Sequence, residues 1–207
     1  MEQSLLFKHI LIKPIKGSGY RYSPYMINLL SKVSGVDEEI IKNTKIDIRS
    51  IRKYIPFYSA KKGGGAITLG NHKWQSITFT ENFFSTDQKL FNNRAYANDL
   101  HSWLRMSSHE VGHLAHTHRY KSFLIYLIVF AYQYMKYGHD DAPLEIEAEE
   151  GTSELYRFDN YLRVNGYTKG THNLILSEKS EQEKITELEE LWIEYKRDKE
   201  GILASNN

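Results

Sequence analysis

The sequence predicts an α+β fold, mostly helical, with a small antiparallel sheet or hairpin placed before the longest helical tract. Three observations point there. β-branched and aromatic residues concentrate in two short runs, 66–69 (AITL) and 76–80 (SITFT), separated by Gly70-Asn71-His72. From about residue 98 onward apolar residues recur at helical spacing, punctuated by Gly138, Gly166 and Gly170. The 207 residues are 41% hydrophobic and 26% charged, the balance of a globular chain long enough to bury a substantial core. A single domain over 1–207 is expected, with its functional core at 62–165 and helical additions at 1–61 and 166–207.

Residues 1–60 read as mostly helical. Ser23-Pro24 is a helix start, with serine as cap and proline at the first helical position, and Gly35 is the stop. A second start falls near Asp37-Glu38-Glu39. Ile40, Ile41, Ile46, Ile48 and Ile51 supply its apolar positions, and Ile55-Pro56 ends it. Residues 61–65 (KKGGG) form a loop before the hairpin. A helix then runs from about Asn98 to Thr117 or Arg119, with Leu100, Trp103, Leu104, Val111 and Leu114 on its apolar face. A second occupies 123–137 and stops at Gly138. A third opens at Pro143 and ends before Gly166. Ser180 and Glu183 form a capping box for a last helix.

Composition removes several classes of function. Lys+Arg (27) and Asp+Glu (26) nearly cancel, so there is no bulk charge for nucleic acid or anionic lipid. The absence of cysteine excludes disulfide scaffolds, thiolate metal sites and cysteine nucleophiles, and leaves the compartment open. Lys8 and His9 interrupt the first apolar run, which is not a signal-peptide pattern. A soluble chain is expected, cytoplasmic or exported without a classical signal peptide. The longest apolar stretch, 123–135 (FLIYLIVFAYQYM), is shorter than the ~20 residues needed to cross a bilayer. It reads first as a buried core helix and second as a surface for membrane or partner. Oligomeric state is not encoded.

The chemistry concentrates in His109-Glu110-Val111-Gly112-His113, an HExxH pattern on the 98–118 helix. Residues i and i+4 share a helix side, so His109 and His113 can direct two imidazole nitrogens to one metal ion. Glu110 then borders the open side of the ion, where it can take a proton from metal-bound water. Chance would supply roughly 0.03 such patterns in a chain of this composition. His116 lies about 10.5 Å beyond His109 along the axis, too far to share that ion. It reads, with His118, as a supporting or surface group. A third ligand must come from elsewhere. The helix that opens Pro143-Leu144-Glu145-Ile146-Glu147-Ala148-Glu149-Glu150 offers carboxylates. Glu145 and Glu149 share a face at i,i+4 and Glu147 points away. One of the face pair can bind metal while the other takes a histidine's spare N–H. The small Ala148 eases close packing on the HExxH helix.

A metzincin would carry Gly at 116 and His at 119, where this chain has His116 and Arg119. HEVGH followed by ExxA(D/E) resembles instead the HExxH…E zinc peptidases called gluzincins. In the CAAX-prenyl-protease type the later motif is ExxAD. That resemblance implies Glu145 as third ligand and Glu149, in place of Asp, against a ligand histidine. Over residues 62–155 the chain is also similar to predicted bacterial zincin domains of toxin and contractile-injection loci. Those show A-x-T-x-G-N-x-I-x-F, then HExxH, then PxExEA. Here the matching stretches are Ala66-Ile67-Thr68-Leu69-Gly70-Asn71, Ile77-Thr78-Phe79, HEVGH and 143–148. The insert after Asn71 is longer than theirs, and 114–118 (LAHTH) replaces their Gln-rich continuation.

The resemblance implies a zincin-like catalytic core with one Zn2+ per chain and a peptide or protein substrate. It implies a sheet edge for extended peptide, formed by Ile77, Thr78 and Phe79 or by 66–69. Tyr156, Tyr161, His139 and His172 have the chemistry to stabilise an oxyanion. Three functions follow: a zinc-dependent metallopeptidase, a non-catalytic zincin-fold binding module, or a bacterial toxin or effector using the same peptidase site.

Overall fold

The computed structural model describes residues 9–14, 17–49, 65–80 and 100–205. Expectations at Ile51, at Ile55-Pro56, for the loop residues 61–64 and for a helix start at Asn98 lie outside these residues.

The described chain is a mostly helical α+β structure. Two short strands, β1 (Leu11–Ile12) and β2 (Arg21–Tyr22), pair antiparallel. Helix α1 (Pro24–Ser34) begins as the sequence requires. The Ser23 hydroxyl accepts from the Met26 N–H, Pro24 occupies the first turn, and Gly35 closes it at φ 70°. Helix α2 (Glu38–Asn43) is capped by Asp37 through the Glu39 N–H at 2.7 Å.

The helical reading of residues 1–61 fails at β1 and β2 and again after Asn43. Thr44 turns extended (ψ 128°), and β3 (Lys45–Ile48) follows. Ile46 and Ile48 belong to this strand rather than to a helix. Their spacing of two is strand periodicity, and Ile46 is fully buried. Strands β4 (Ala66–Asn71) and β5 (Trp74–Phe79) form the expected antiparallel hairpin, with Ala66 opposite Phe79. β3 adds in parallel along the other edge of β5, Ile46 opposite Ile77, so the sheet is three-stranded and mixed, ordered β3-β5-β4.

Four longer helices and one short one complete the fold. They are α3 (Leu100–Tyr120), α4 (Phe123–Tyr137), α5 (Pro143–Val164), α6 (Thr171–Ile175) and α7 (Glu181–Ser205). α3 lies between β4 and α5. Trp103 sets its ring 4.9 Å from that of Phe79. Ser180 and Glu183 exchange their hydrogen bonds as a capping box. The five residues of α6 were not foreseen. Asp159 fastens them by accepting from both the N–H and the hydroxyl of Thr171 at 2.8 Å. One apolar cluster joins Tyr22, Leu30, Phe79, Val111, Phe158 and Leu188. Residues near both ends of the sequence therefore share the core with the middle of the chain.

α4 departs from its expected place as a buried core helix. Tyr126 is buried, but Leu124, Ile128 and Met135 are 64%, 59% and 79% exposed. The stretch is apolar all round, so its pattern carries no face preference, and only one side meets α3, α5 and β4. No helix among the described residues is long and apolar enough to cross a membrane.

Candidate metal centre

The site begins with a close approach of two helices. A Cβ on Gly112 would stand 2.8 Å from both the Cα and the carbonyl oxygen of Ala148. Only glycine permits that spacing. His113 follows Gly112 directly, His109 lies one turn earlier, and Glu145 and Glu149 flank Ala148. The contact between the two smallest side chains thus presses the imidazoles of α3 onto the carboxylates of α5.

Three ligand atoms converge there. His109 Nε2 and His113 Nε2 are 3.2 Å apart. Glu145 Oε2 lies 3.1 Å from the first and 3.5 Å from the second. Ligands held at ~2.0–2.1 Å around a tetrahedral ion stand about 3.3 Å from one another. The triangle has the edge lengths of one face of that tetrahedron. Glu145 Oε2 is buried and makes no aligned hydrogen bond among the described residues. Buried lone pairs facing one another without a donor are costly, and a cation at their centre removes the cost. The buried His-His-Glu group can hold a metal ion.

The outer nitrogen of each imidazole is also engaged. His109 Nδ1 lies 2.9 Å from Glu149 Oε2, so Nδ1–H donates to the carboxylate and Nε2 keeps its lone pair. His113 Nδ1 lies 3.2 Å from His116 Nδ1, and His116 Nε2 lies 3.1 Å from Glu147 Oε2. With both rings neutral, one arrangement satisfies every atom. His113 donates from Nδ1 to His116, and His116 donates from Nε2 to Glu147. Arg119 caps the series by donating to Glu147 Oε2 at 2.8 Å. Each metal-facing imidazole is held in the tautomer that metal binding needs.

The electrostatics agree with this wiring. Burial and the neighbouring His113 pull the His116 imidazolium down to about 4, against the attraction of Glu147, so the ring is a neutral acceptor at neutral pH. With protons as its only cations, the triangle draws positive charge to itself. Burial lowers the basicity of His109, but the adjoining Glu145 and Glu149 carboxylates override it and raise the group to about 10. Burial pushes the Glu145 carboxyl up, and the two imidazoles bring it far below the usual carboxylate range. The hydrogen bond from His109 holds Glu149 low as well.

Glu110 is buried between α3 and β4. The Thr68 hydroxyl lies 2.6 Å from Glu110 Oε2 and 2.9 Å from the Glu110 carbonyl oxygen. The hydroxyl has one proton, and the shorter contact directs it to the carboxylate. One carboxylate oxygen is thereby held in a fixed orientation.

The remaining sequence candidates separate sharply. His139 reaches the site, with Nε2 3.9 Å from Glu145 Oε2 and Nδ1 3.0 Å from Asp140. Tyr156 and Tyr161 do not. They stand eleven and sixteen residues beyond Glu145, about 16 and 24 Å along α5. Tyr156 packs on His101 and Tyr161 on Tyr195. His172 belongs to α6, beyond the far end of the same helix. Ile77, Thr78 and Phe79 cannot serve as a peptide-binding edge. β5 is the central strand, its backbone engaged by β3 and β4, and the three side chains are buried. Among the described residues the outer strand beside α3 is β4, so residues 66–69 are the remaining candidate edge, with the Tyr126 hydroxyl 3.5 Å from the Thr68 carbonyl. His118 is exposed. Sequence reasoning missed Thr68 and Glu147. Thr68 was visible only as one letter of a motif, and Glu147 was turned away from the metal on an isolated helix.

Comparison with family models, with curated proteins and with solved structures finds no match to this chain.

Proposed function

We propose that the protein is a zinc-dependent metallopeptidase. The observation that carries this reading is the near-tetrahedral triangle of His109, His113 and Glu145 with Glu110 beside it on the same helix. Two imidazoles and one carboxylate, with no thiolate available, suit zinc in a catalytic coordination that keeps one position open. Bound zinc lowers the pKa of its water to ~7 and polarises the substrate carbonyl.

The chain's own residues do the rest. Glu149 and the His116–Glu147–Arg119 series hold the two ring orientations. Glu110, oriented by Thr68, accepts the water proton as general base and returns it to the leaving amine. His139, exposed at the rim with Asp140 on its Nδ1, presents Nε2 as the donor for the oxyanion. β4 offers a backbone edge along which an extended peptide can align.

The test is direct. Purified protein loaded with zinc should carry about one zinc per chain by elemental analysis. Glu110→Gln should keep that metal and lose at least about 10³-fold in hydrolysis of a mixed peptide library followed by mass spectrometry. A chain that takes up no zinc ends the reading. Zinc uptake without cleavage by the parent protein leaves a metal-holding binding module.

A further inference from the structure

A cleft of about 1060 Å³ opens from the metal centre and runs along α5. Its wall on that helix carries Glu145, Glu149, Ser153 and Arg157, one stripe at spacings of four. The metal end holds His109, Glu110 and Glu145. The far end is different in charge. There Lys196 and Lys199 of α7 and Arg157 of α5 all converge on one carboxylate, Glu154, at 2.7 to 3.2 Å. Burial raises the Glu154 carboxyl, but the two lysines bring it down to about 2, so it is charged throughout the neutral range.

Two more cations line the same end. α3 and α5 are antiparallel: Gly112 meets Ala148, and Ser108 meets Gly151. Stepping back from His109 to Arg105 therefore runs beside the step from Glu149 to Glu154. Lys32, two residues before Ser34 at Gly151, enters from α1. Five cations thus line this end against three carboxylates: Glu154, the exposed Glu150, and Glu149, which His109 engages and Arg105 also attracts. Glu154 is saturated, while the ammonium and guanidinium groups keep N–H donors to spare.

We propose that this cleft is the substrate channel and that its cationic end selects acidic side chains, an inference that rests on the peptidase reading. Glu154 follows Glu145 by nine residues, about 14 Å of helix, and an extended peptide covers ~3.3 Å per residue. The acidic residue therefore sits about four positions from the scissile bond. Charge pairing at the mouth of a cleft also speeds capture and makes it salt-sensitive.

Binding tests this separately from chemistry. The probes are two fluorescein-labelled dodecapeptides, identical except for paired Glu or paired Gln, titrated by anisotropy into full-length zinc-loaded Glu110→Gln. The Glu peptide should bind about tenfold more tightly at 50 mM NaCl, with the gap narrowing at 300 mM. Substituting Lys196 or Lys199 would disturb the ion-pair cluster around the buried Glu154, so the variant is Lys32→Gln, outside that cluster and apart from the Glu149–His109 pair. It should cut the preference to threefold or less with zinc content unchanged. Equal binding of the two probes overturns the proposal. So does a cleavage map of the parent protein showing no acidic enrichment about four residues from the cut. A retained Glu preference with no cleavage upholds the acidic channel and defeats the peptidase reading instead.

Discussion

His113 donates its spare N–H to a second imidazole rather than to a carboxylate or carbonyl, and that relay defines the residue scale of this site. His116 can accept at Nδ1 only while neutral, and it stays neutral because it is buried beside His113. Glu147 fixes the tautomer from the other side. Removing a partner that orients a ligand histidine typically costs 10–100-fold in metal affinity. His116→Ala should therefore weaken zinc binding by roughly 10–100-fold in competition with a chromophoric chelator. Glu147→Gln should fall at the low end of that range, because its amide oxygen still accepts from His116. Unchanged affinity in both would mean that His113 is held by packing alone. Much of this was legible in the sequence: HExxH sets two imidazoles on one side of a helix, and i,i+4 spacing pairs Glu145 with Glu149. The end of the relay was not. Glu147 points away from Glu145 on a lone helix, and only the packing of α3 on α5 shows that this direction leads to His116.

Elements decide how far apart the ligands stand. Gly112 is an interior helical glycine, which by propensity alone should be improved by alanine by about 1 kcal/mol. Here the added methyl would overlap backbone atoms of Ala148, which have no rotamer by which to move aside. Overpacking of that kind costs about 1–3 kcal/mol and exceeds the propensity gain at most of that range. Gly112→Ala should lower the denaturation midpoint and, by spreading α3 from α5, weaken zinc binding in the same preparation. A stabilised variant with full affinity would show that the helices are not set by this contact. Ala148 was readable as a packing residue, and so were the caps at Ser23, Asp37 and Ser180, because a cap is local chemistry. Besides the short β1, β2 and α6, two elements escaped the pattern for opposite reasons. β3 is four residues whose strand character depends on β5, thirty residues downstream, and α4 has apolar residues on every side, so nothing in its pattern told which would be left exposed.

At the scale of the whole molecule, the candidate metal centre is a tie between parts that lie far apart in the sequence. α3 and β4 hold Glu110, α5 supplies Glu145, and α1 and α7 pack on α5. No unfolded segment presents this triangle, so free energy of zinc binding becomes free energy of folding. At a free zinc concentration of a hundred times Kd the gain is about 2.7 kcal/mol. For a chain of this size that is a rise of roughly 5–10 °C in Tm. Excess chelator should abolish the rise, and Glu145→Gln should show little of it, since one edge of the triangle loses its charge. Glu110→Gln should keep it in full, because Glu110 lies outside the His109–His113–Glu145 triangle. That pattern separates holding the metal from using it. A Tm indifferent to zinc in the parent protein would mean that His109, His113 and Glu145 meet for a structural reason alone, and the proposed chemistry would lose its foundation.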